Sequence, residues 1–271
     1  MTITHPGTQV VGHSAWAAAT RRHIAEFAGQ DQHCLIDGPP SSGRAVLARA
    51  IHERSACCDG PFVPVSCDSL PGHLFTSQVF GCVAGVMSEN SMATVGAARA
   101  ANGGTLFLRH VDELDLFAQR ELLGFLAHHD VQPVGGTRSL HANVRVIASC
   151  SRNIQGAIQK GQFAADLHQQ LAGKIFETVD LAVRSADIIP LAEQFLHERC
   201  AQLGLSDKTL EPSAVEWLLT HPWLGNAGSL RTLMQGVAGD VRTSSIDHET
   251  IGVWLANRDC WPRHPTNNRS D

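Results

Sequence analysis

The sequence predicts a parallel α/β domain followed by a small all-helical one, on three observations. Short apolar runs, bounded by glycine, proline or polar residues and rich in β-branched side chains, recur through the first two thirds of the chain, as buried strands do. Amphipathic stretches with helical spacing lie between them, and strand–helix alternation of this kind places helices over a parallel sheet. After about residue 180 the strand-like runs stop and helical patterns continue alone.

The first strand is CLID (34–37), followed by RAVLARAIHE with Val46, Leu47, Ala50 and Ile51 on one helical stripe. FVPVSC (62–67), TLFL (105–108) and VRVIASC (144–150) supply three more strands, and AQRELLGFLAHH (118–129) a helix carrying Leu122, Leu123 and Leu126. DIIPLAEQFLHERCAQLG reads as a helix stopped by Gly204, which suits a left-handed C-terminal cap. PSAVEWLLTH begins with Pro212 in a first turn, where its missing N–H costs nothing, and breaks before Pro222. SLRTLMQGVAGDV and DHETIGVWLA complete the helical part. The expected division is an N-terminal extension 1–9, an α/β core 10–180, a helical domain 181–258 and a polar, proline-containing tail 259–271 that frays.

Composition narrows the class. A chain of 271 residues buries roughly three quarters of its unfolded surface and needs no disulfide or metal to hold a core. A net charge of −5 gives no global basic field to attract nucleic acid or an anionic membrane. No segment reaches 18 consecutive apolar residues, and the start MTITHPGTQVVG has neither the basic nor the apolar part of a signal peptide, so a cytoplasmic setting with reduced thiols is expected. The eight cysteines form no C-x-x-C pair, and Cys57–Cys58 read as a loop or helix end rather than a redox pair. Of fifteen histidines, His128 and His129 are neighbours that point about 100° apart on a helix, so no metal site is expected.

GPPSSGRA (38–45) follows a strand and opens a helix, the context in which a G-x-x-x-x-G-K loop cradles phosphates. Gly38, Ser41, Ser42, Gly43, Arg44 and Ala45 are therefore candidate nucleotide-binding residues, with Arg44 at the lysine position. On this segment alone, an ordinary tight strand-to-helix turn explains the pattern as well.

The wider text resembles the AAA+ domain of bacterial sigma-54-dependent transcription activators, the enhancer-binding proteins. VVGHSAW, ARAIHERS, PFVPVSCDSL, VFGCVAG, ANGGTLFL, VGG, NVRVIAS, DIIPLAEQFL and WLGNAGSL follow that family's motifs in order, across about residues 10 to 258. The resemblance implies an AAA+ P-loop fold, a three-layer α/β/α parallel sheet with a helical lid. It also implies ATP-driven remodelling of sigma-54, and there this chain departs from the family.

The family loop reads GESGTGKE. Here Pro39–Pro40 remove two N–H groups, Ser41 replaces a glycine and Arg44 the lysine. After TLFL the family places Asp-Glu, which hold Mg²⁺ and polarise water, and this chain has Arg109–His110. An arginine 4 Å from Mg²⁺ at an effective dielectric near 20 costs roughly 8 kcal/mol, which disfavours the metal unless Arg109 turns into solvent. Asp112 and Glu113 lie beyond the strand end, where a helical first turn favours acids. Ser66 stands at the family's switch asparagine, Ser151 at the first-sensor asparagine with Arg152 retained, Ala164 and Gln170 at the two trans-acting arginines, and Gly228 at the second-sensor arginine. The sigma-contacting hexapeptide aligns with Gly85, Val86, Met87, Ser88, Glu89 and Asn90, without its aromatic tip and threonine.

Fold positions survive where nucleotide positions are lost. The resulting expectation is a pseudo-ATPase with weak or absent ATP or ADP binding, no Mg²⁺ and no firm cofactor. It would act on a protein partner: a related AAA+ activator, another regulator or the sigma factor, in a homo- or hetero-oligomer. No DNA-binding element is expected. Two alternatives stand beside it, a slow ATPase using Arg44, Arg109 and His110, and a sensor that binds nucleotide without hydrolysis.

Overall fold

The computed structural model describes residues 9–68, 71–86, 92–151 and 153–257. Five strands, β1 (Cys34–Asp37), β2 (Phe62–Ser66), β3 (Thr105–Arg109), β4 (Arg145–Cys150) and β5 (Lys174–Glu177), form one parallel sheet in the order β2-β3-β4-β1-β5. The first four were legible as apolar runs. β5 was missed because only Phe176 of its four residues is buried, which leaves an edge strand without an apolar run.

Alternation along the strands builds two cores, since successive side chains point to opposite faces. Leu106, Leu108, Val146 and Ala148 face one core. Helices Gly72–Phe80, Leu116–His128 and Ala165–Leu171 cover it through residues such as Phe75, Leu122 and Leu167. Ile36, Phe107, Ile147 and Phe176 face the other, under α1 (Ala15–Phe27) and α2 (Arg44–Glu53). The layers are thus α/β/α, as the strand–helix alternation requires. The helix expected over 118–129 begins two residues earlier, at Leu116, because the Asp115 carboxylate caps it by accepting the Ala118 N–H at 2.8 Å.

The remaining helices, Ile188–Leu203, Pro212–Thr220, Asn226–Asp240 and His248–Ala256, pack around Leu196, Trp223, Leu230, Leu233 and Trp254. Gly204 caps the first with φ 66°, and Pro212 opens the second. A short parallel pairing of Thr209–Leu210 with Ser245–Ile246 adds a small sheet to this helical lid, joining the chain just before two of its helices. Trp223, 2% exposed, satisfies its indole by donating to the Leu218 carbonyl at 2.8 Å.

Lid and core meet through buried polar contacts. Asp187 accepts the Ser14 N–H at 2.7 Å and the Ser14 hydroxyl at 2.8 Å, which fixes the start of α1 to the lid. Asn226 accepts the Leu181 N–H at 2.7 Å and donates to the Pro40 carbonyl at 3.1 Å, which reaches the loop before α2.

Candidate nucleotide cleft

The C-terminal ends of β3 and β4 face a cavity of about 410 Å³, closed on one side by the loop between β1 and α2 and on the other by the lid. Position on a parallel sheet explains its place, since ligands bind outside the carboxyl ends of strands.

The loop residues Pro40, Ser41, Ser42, Gly43, Arg44 and Ala45 line the cavity, and Gly38 precedes it on the turn from β1. Gly38 has φ 147°, and a Cβ there would lie 2.1 Å from the Thr178 hydroxyl oxygen, so only glycine fits. Ser41 holds a left-handed φ of 57°. The loop is heavily committed to the protein itself. Ser42 donates its N–H to the Pro39 carbonyl at 3.3 Å and its hydroxyl to the same oxygen at 2.6 Å, while Arg184 donates to the Ser42 carbonyl at 2.6 Å. With no N–H on Pro39 or Pro40 and that of Ser42 already spent, few loop donors remain. The first turn of α2 is different: Gly43 provides no side-chain cap, and Gly43, Arg44, Ala45 and Val46 line the cavity.

Arg44 keeps its charge but not the expected reach. It is 7% exposed and its guanidinium donates to the Cys150 carbonyl at the end of β4. Burial pulls it below its ordinary range, and Asp112, Cys150 and Asp37 oppose that shift. An arginine stays charged through such a shift. A cation therefore sits among the acids at the strand ends.

Strand register shows what the sheet presents. Ser66, Arg109 and Ser149 lie side by side at the ends of β2, β3 and β4. His110 follows in a left-handed conformation, φ 57°. Arg109 is exposed, which corrects the cost assumed from sequence: a solvent-facing arginine repels a divalent ion less than a buried one. Asp68 lies near this pair, and its carboxyl is held below the usual range first by the Ser66 hydroxyl, then by His110 and Arg109. Asp112 accepts the Ser151 N–H at 3.3 Å and hydroxyl at 3.5 Å from a short 3-10 turn, the structural use of an acid expected beyond the strand end.

The cavity is lined by Arg44, Arg109, Arg184, Arg231 and His110, and by no aspartate or glutamate among the described residues. Such a donor set does not fit a hard divalent cation, which takes carboxylate oxygens. Arg184 and Arg231 were not singled out from sequence. Their places over Trp16 (4.4 Å) and Phe195 (4.6 Å) depend on lid packing and leave no local sequence signal. Gly228 meets the loop directly: a Cβ there would lie 2.9 Å from Ser41 Cβ.

The other candidate positions lie apart from the cavity. Ala164 starts helix Ala165–Leu171 and donates its N–H to Gln119 at 2.8 Å, and Gln170 is exposed on that helix. Gly85 and Val86 lead from a short hairpin formed by Gly81–Cys82 and Thr94–Val95. Met87, Ser88, Glu89, Asn90 and Arg152 lie outside the described residues. Histidines, cysteines and acids make no metal-holding cluster among the described residues.

Layer order, loop and lid define an AAA+ domain. The chain matches the sigma-54 interaction domain over residues 10–176 and the AAA+ ATPase lid domain over 182–258. It belongs to the family of sigma-54-dependent transcription activators. The anaerobic nitric oxide reductase transcription regulator NorR of Citrobacter koseri is 35% identical over 244 residues, 90% of this chain and 48% of that protein. Regulatory protein LuxO of Vibrio cholerae is 32% identical over 85% of this chain and 43% of its own length. The chain thus spans about half the length of these relatives. Crystal structures of NtrX from Brucella abortus in complex with ATP and with ADP superpose with TM-scores of 0.77 and 0.76 at 30% identity. They cover 89% and 85% of this chain and 55% and 51% of theirs.

Proposed function

We propose that this chain regulates transcription through protein contacts, as a sigma-54-interaction-type AAA+ domain in the cytoplasm that does not turn over ATP. One observation carries the reading: the strand ends that line the cavity present Arg109 and Ser149 in register, with His110 next and Ser66 paired beside Arg109, where hydrolysis needs a metal-binding acid and a water-polarising group. The commitment of Arg44 to the Cys150 carbonyl supports it, because that charge is already satisfied inside the protein. Ala164 and Gln170 extend the deficit to neighbouring subunits. A copy of this chain beside an intact relative supplies no arginine to that neighbour's nucleotide, and loss of such a finger costs 10³–10⁵ in rate. The partner is therefore a related activator in a mixed oligomer, with the sigma factor or another regulator as the further candidates. By resemblance, residues 85–90 align with the segment that the family uses on sigma-54.

Co-expression with an intact relative and measurement of phosphate release tests the reading. Purified chain alone gives no release above background, and its addition lowers the relative's rate. Turnover by the chain alone, abolished by His110→Ala, overturns it.

A second reading, a regulator that binds nucleotide without hydrolysis, is supported by the four arginines on the cavity and the open first turn of α2. NtrX, solved with ATP and with ADP, makes those the ligands to test. Under this reading ADP and ATP raise the melting temperature without phosphate release.

A further inference from the structure

Far from the cleft, at the N-terminal end of β3, the turn after α2 gathers five chemically active side chains: His52, Ser55, Cys57, Cys58 and Thr105. Arg109 ends the strand that Thr105 begins, so roughly 13 Å of extended chain separates this cluster from the cavity. The Cys57 sulfur lies 3.4 Å from the Thr105 hydroxyl and 3.1 Å from the Ser55 hydroxyl. His52, buried on the last turn of α2, places Nδ1 2.9 Å from the same Thr105 oxygen. When Nδ1 carries hydrogen it donates to Thr105, which frees the threonine hydroxyl to donate to sulfur. Ser55 bonds the His52 carbonyl at 2.7 Å and has one proton to share, so His52 and Thr105 carry most of the effect.

We propose that Cys57 is a site of thiol oxidation by hydroperoxides, with His52 and Thr105 as the groups that hold its thiolate. In the reaction, the thiolate attacks one peroxide oxygen; the S–O bond forms and the O–O bond breaks. Sulfur is oxidised to a sulfenic acid, the peroxide is reduced, and the departing alkoxide or hydroxide takes up the proton that left the thiol, through His52 or water.

The surroundings distinguish this thiol from the others. Burial pushes the Cys57 thiol up, but hydrogen bonds from His52, Ser55 and Thr105 outweigh it and bring the thiol to about 6. Burial pushes Cys34 up to about 12 and raises Cys67 and Cys150 as well. Cys58 is more exposed than Cys57, yet its thiol makes no hydrogen bond among the described residues. Exposure favours Cys58 and chemistry favours Cys57. At pH 7 a thiol at about 6 is roughly 90% ionised, against roughly 1% for one at 9.0, and the weaker nucleophilicity of the less basic sulfur cancels about 20-fold of that gain, leaving about 4-fold. The pH at which reactivity turns on is therefore a sharper readout than the rate.

The test uses the full chain with Cys260→Ser, which removes the thiol outside the described residues. Iodoacetamide labelling from pH 5 to 9, assigned to Cys57 or Cys58 by fragment mass spectrometry, is paired with dimedone trapping after hydrogen peroxide at pH 7. The expected result is half-maximal Cys57 labelling near pH 6 and a dimedone adduct on Cys57 that Cys57→Ser abolishes. His52→Gln should raise the half-maximum by at least one pH unit. Thr105→Ala provides a second variant, and the wild-type profile needs no variant to fold. A half-maximum at or above pH 7.5, an adduct confined to Cys58, or a profile unmoved by folded His52→Gln overturns the proposal.

Discussion

Replacing Arg109 and His110 with Asp and Glu isolates the charge at the end of β3 from everything else in the cleft. Arg109 is exposed, so the dielectric acting on it is closer to that of water than to that of a protein interior. Two unit charges about 4 Å apart then interact by ~1 kcal/mol. Arginine against a divalent ion is unfavourable by ~2 kcal/mol, and aspartate is favourable by the same amount. The swing of ~4 kcal/mol corresponds to about 10³ in the effect of Mg²⁺ on nucleotide affinity. The assay is a thermal-shift titration with ATP and ADP, with and without Mg²⁺, on the wild type and on R109D/H110E. A ligand at a hundredfold its dissociation constant adds about 2.7 kcal/mol, enough to detect. In the wild type Mg²⁺ should leave the response unchanged or reduce it, whereas in the variant it should strengthen it. Turnover should stay absent, because Ala164, Gln170 and Gly228 are untouched. A wild-type shift that requires Mg²⁺, or a variant indifferent to it, refutes the electrostatic reasoning.

Three further outcomes follow from the packing. Asp187→Ala strips the Ser14 N–H of its acceptor and leaves the buried Arg184 without its ion-pair partner 3.9 Å away, which should cost about 3–5 kcal/mol and about 10 °C in melting temperature. A loss below 1 kcal/mol in urea unfolding would show that this junction does not hold lid to core. Gly236→Ala gains about 1 kcal/mol of helix propensity but sets a Cβ 1.9 Å from Trp254 Cζ2, so overpacking of about 1–3 kcal/mol should lower the melting temperature, and a rise would contradict the packing. Burial, then His129, pull His33 down to about 4, and its Nδ1 accepts the Val146 N–H at 3.1 Å in the neutral form. The unfolded chain thus binds the extra proton first. Stability contributed by His33 is full above about pH 6.5 and falls as pH drops toward 4, by at most about 3 kcal/mol. His33→Gln should flatten that part of the pH–stability profile, and an unchanged slope would count against it.

Local pattern was sufficient for β1 to β4 and for the lid helices, because a buried strand needs an apolar run and a helix needs a stripe and an end. Gly204 and Pro212 mark such ends on their own. β5 was invisible because an edge strand with one buried residue of four carries no such run. The Cys57–Cys58 pair, which reads as a loop or helix end, lies in the turn that follows α2, yet the Cys57 sulfur meets Thr105, 48 residues away. Arg44 was placed on the phosphate loop from spacing, but its attachment to Cys150, 106 residues later, had no sequence counterpart.

The sequence by itself determined strands β1 to β4, the helices after β1 and β3 and those of the lid, the family motifs they carry, and that Arg109 and His110 stand at the end of β3 in place of two acids. These depend on neighbours within a few residues, where helix and strand periodicity act. Tertiary structure alone decided which polar groups meet: Arg44 with the Cys150 carbonyl, Asp112 and Asp37, Asp68 with Arg109 and His110, and Asp187 with the Ser14 hydroxyl and Arg184. Electrostatic and hydrogen-bond energies depend on distance through space, and the fold sets those distances independently of separation along the chain.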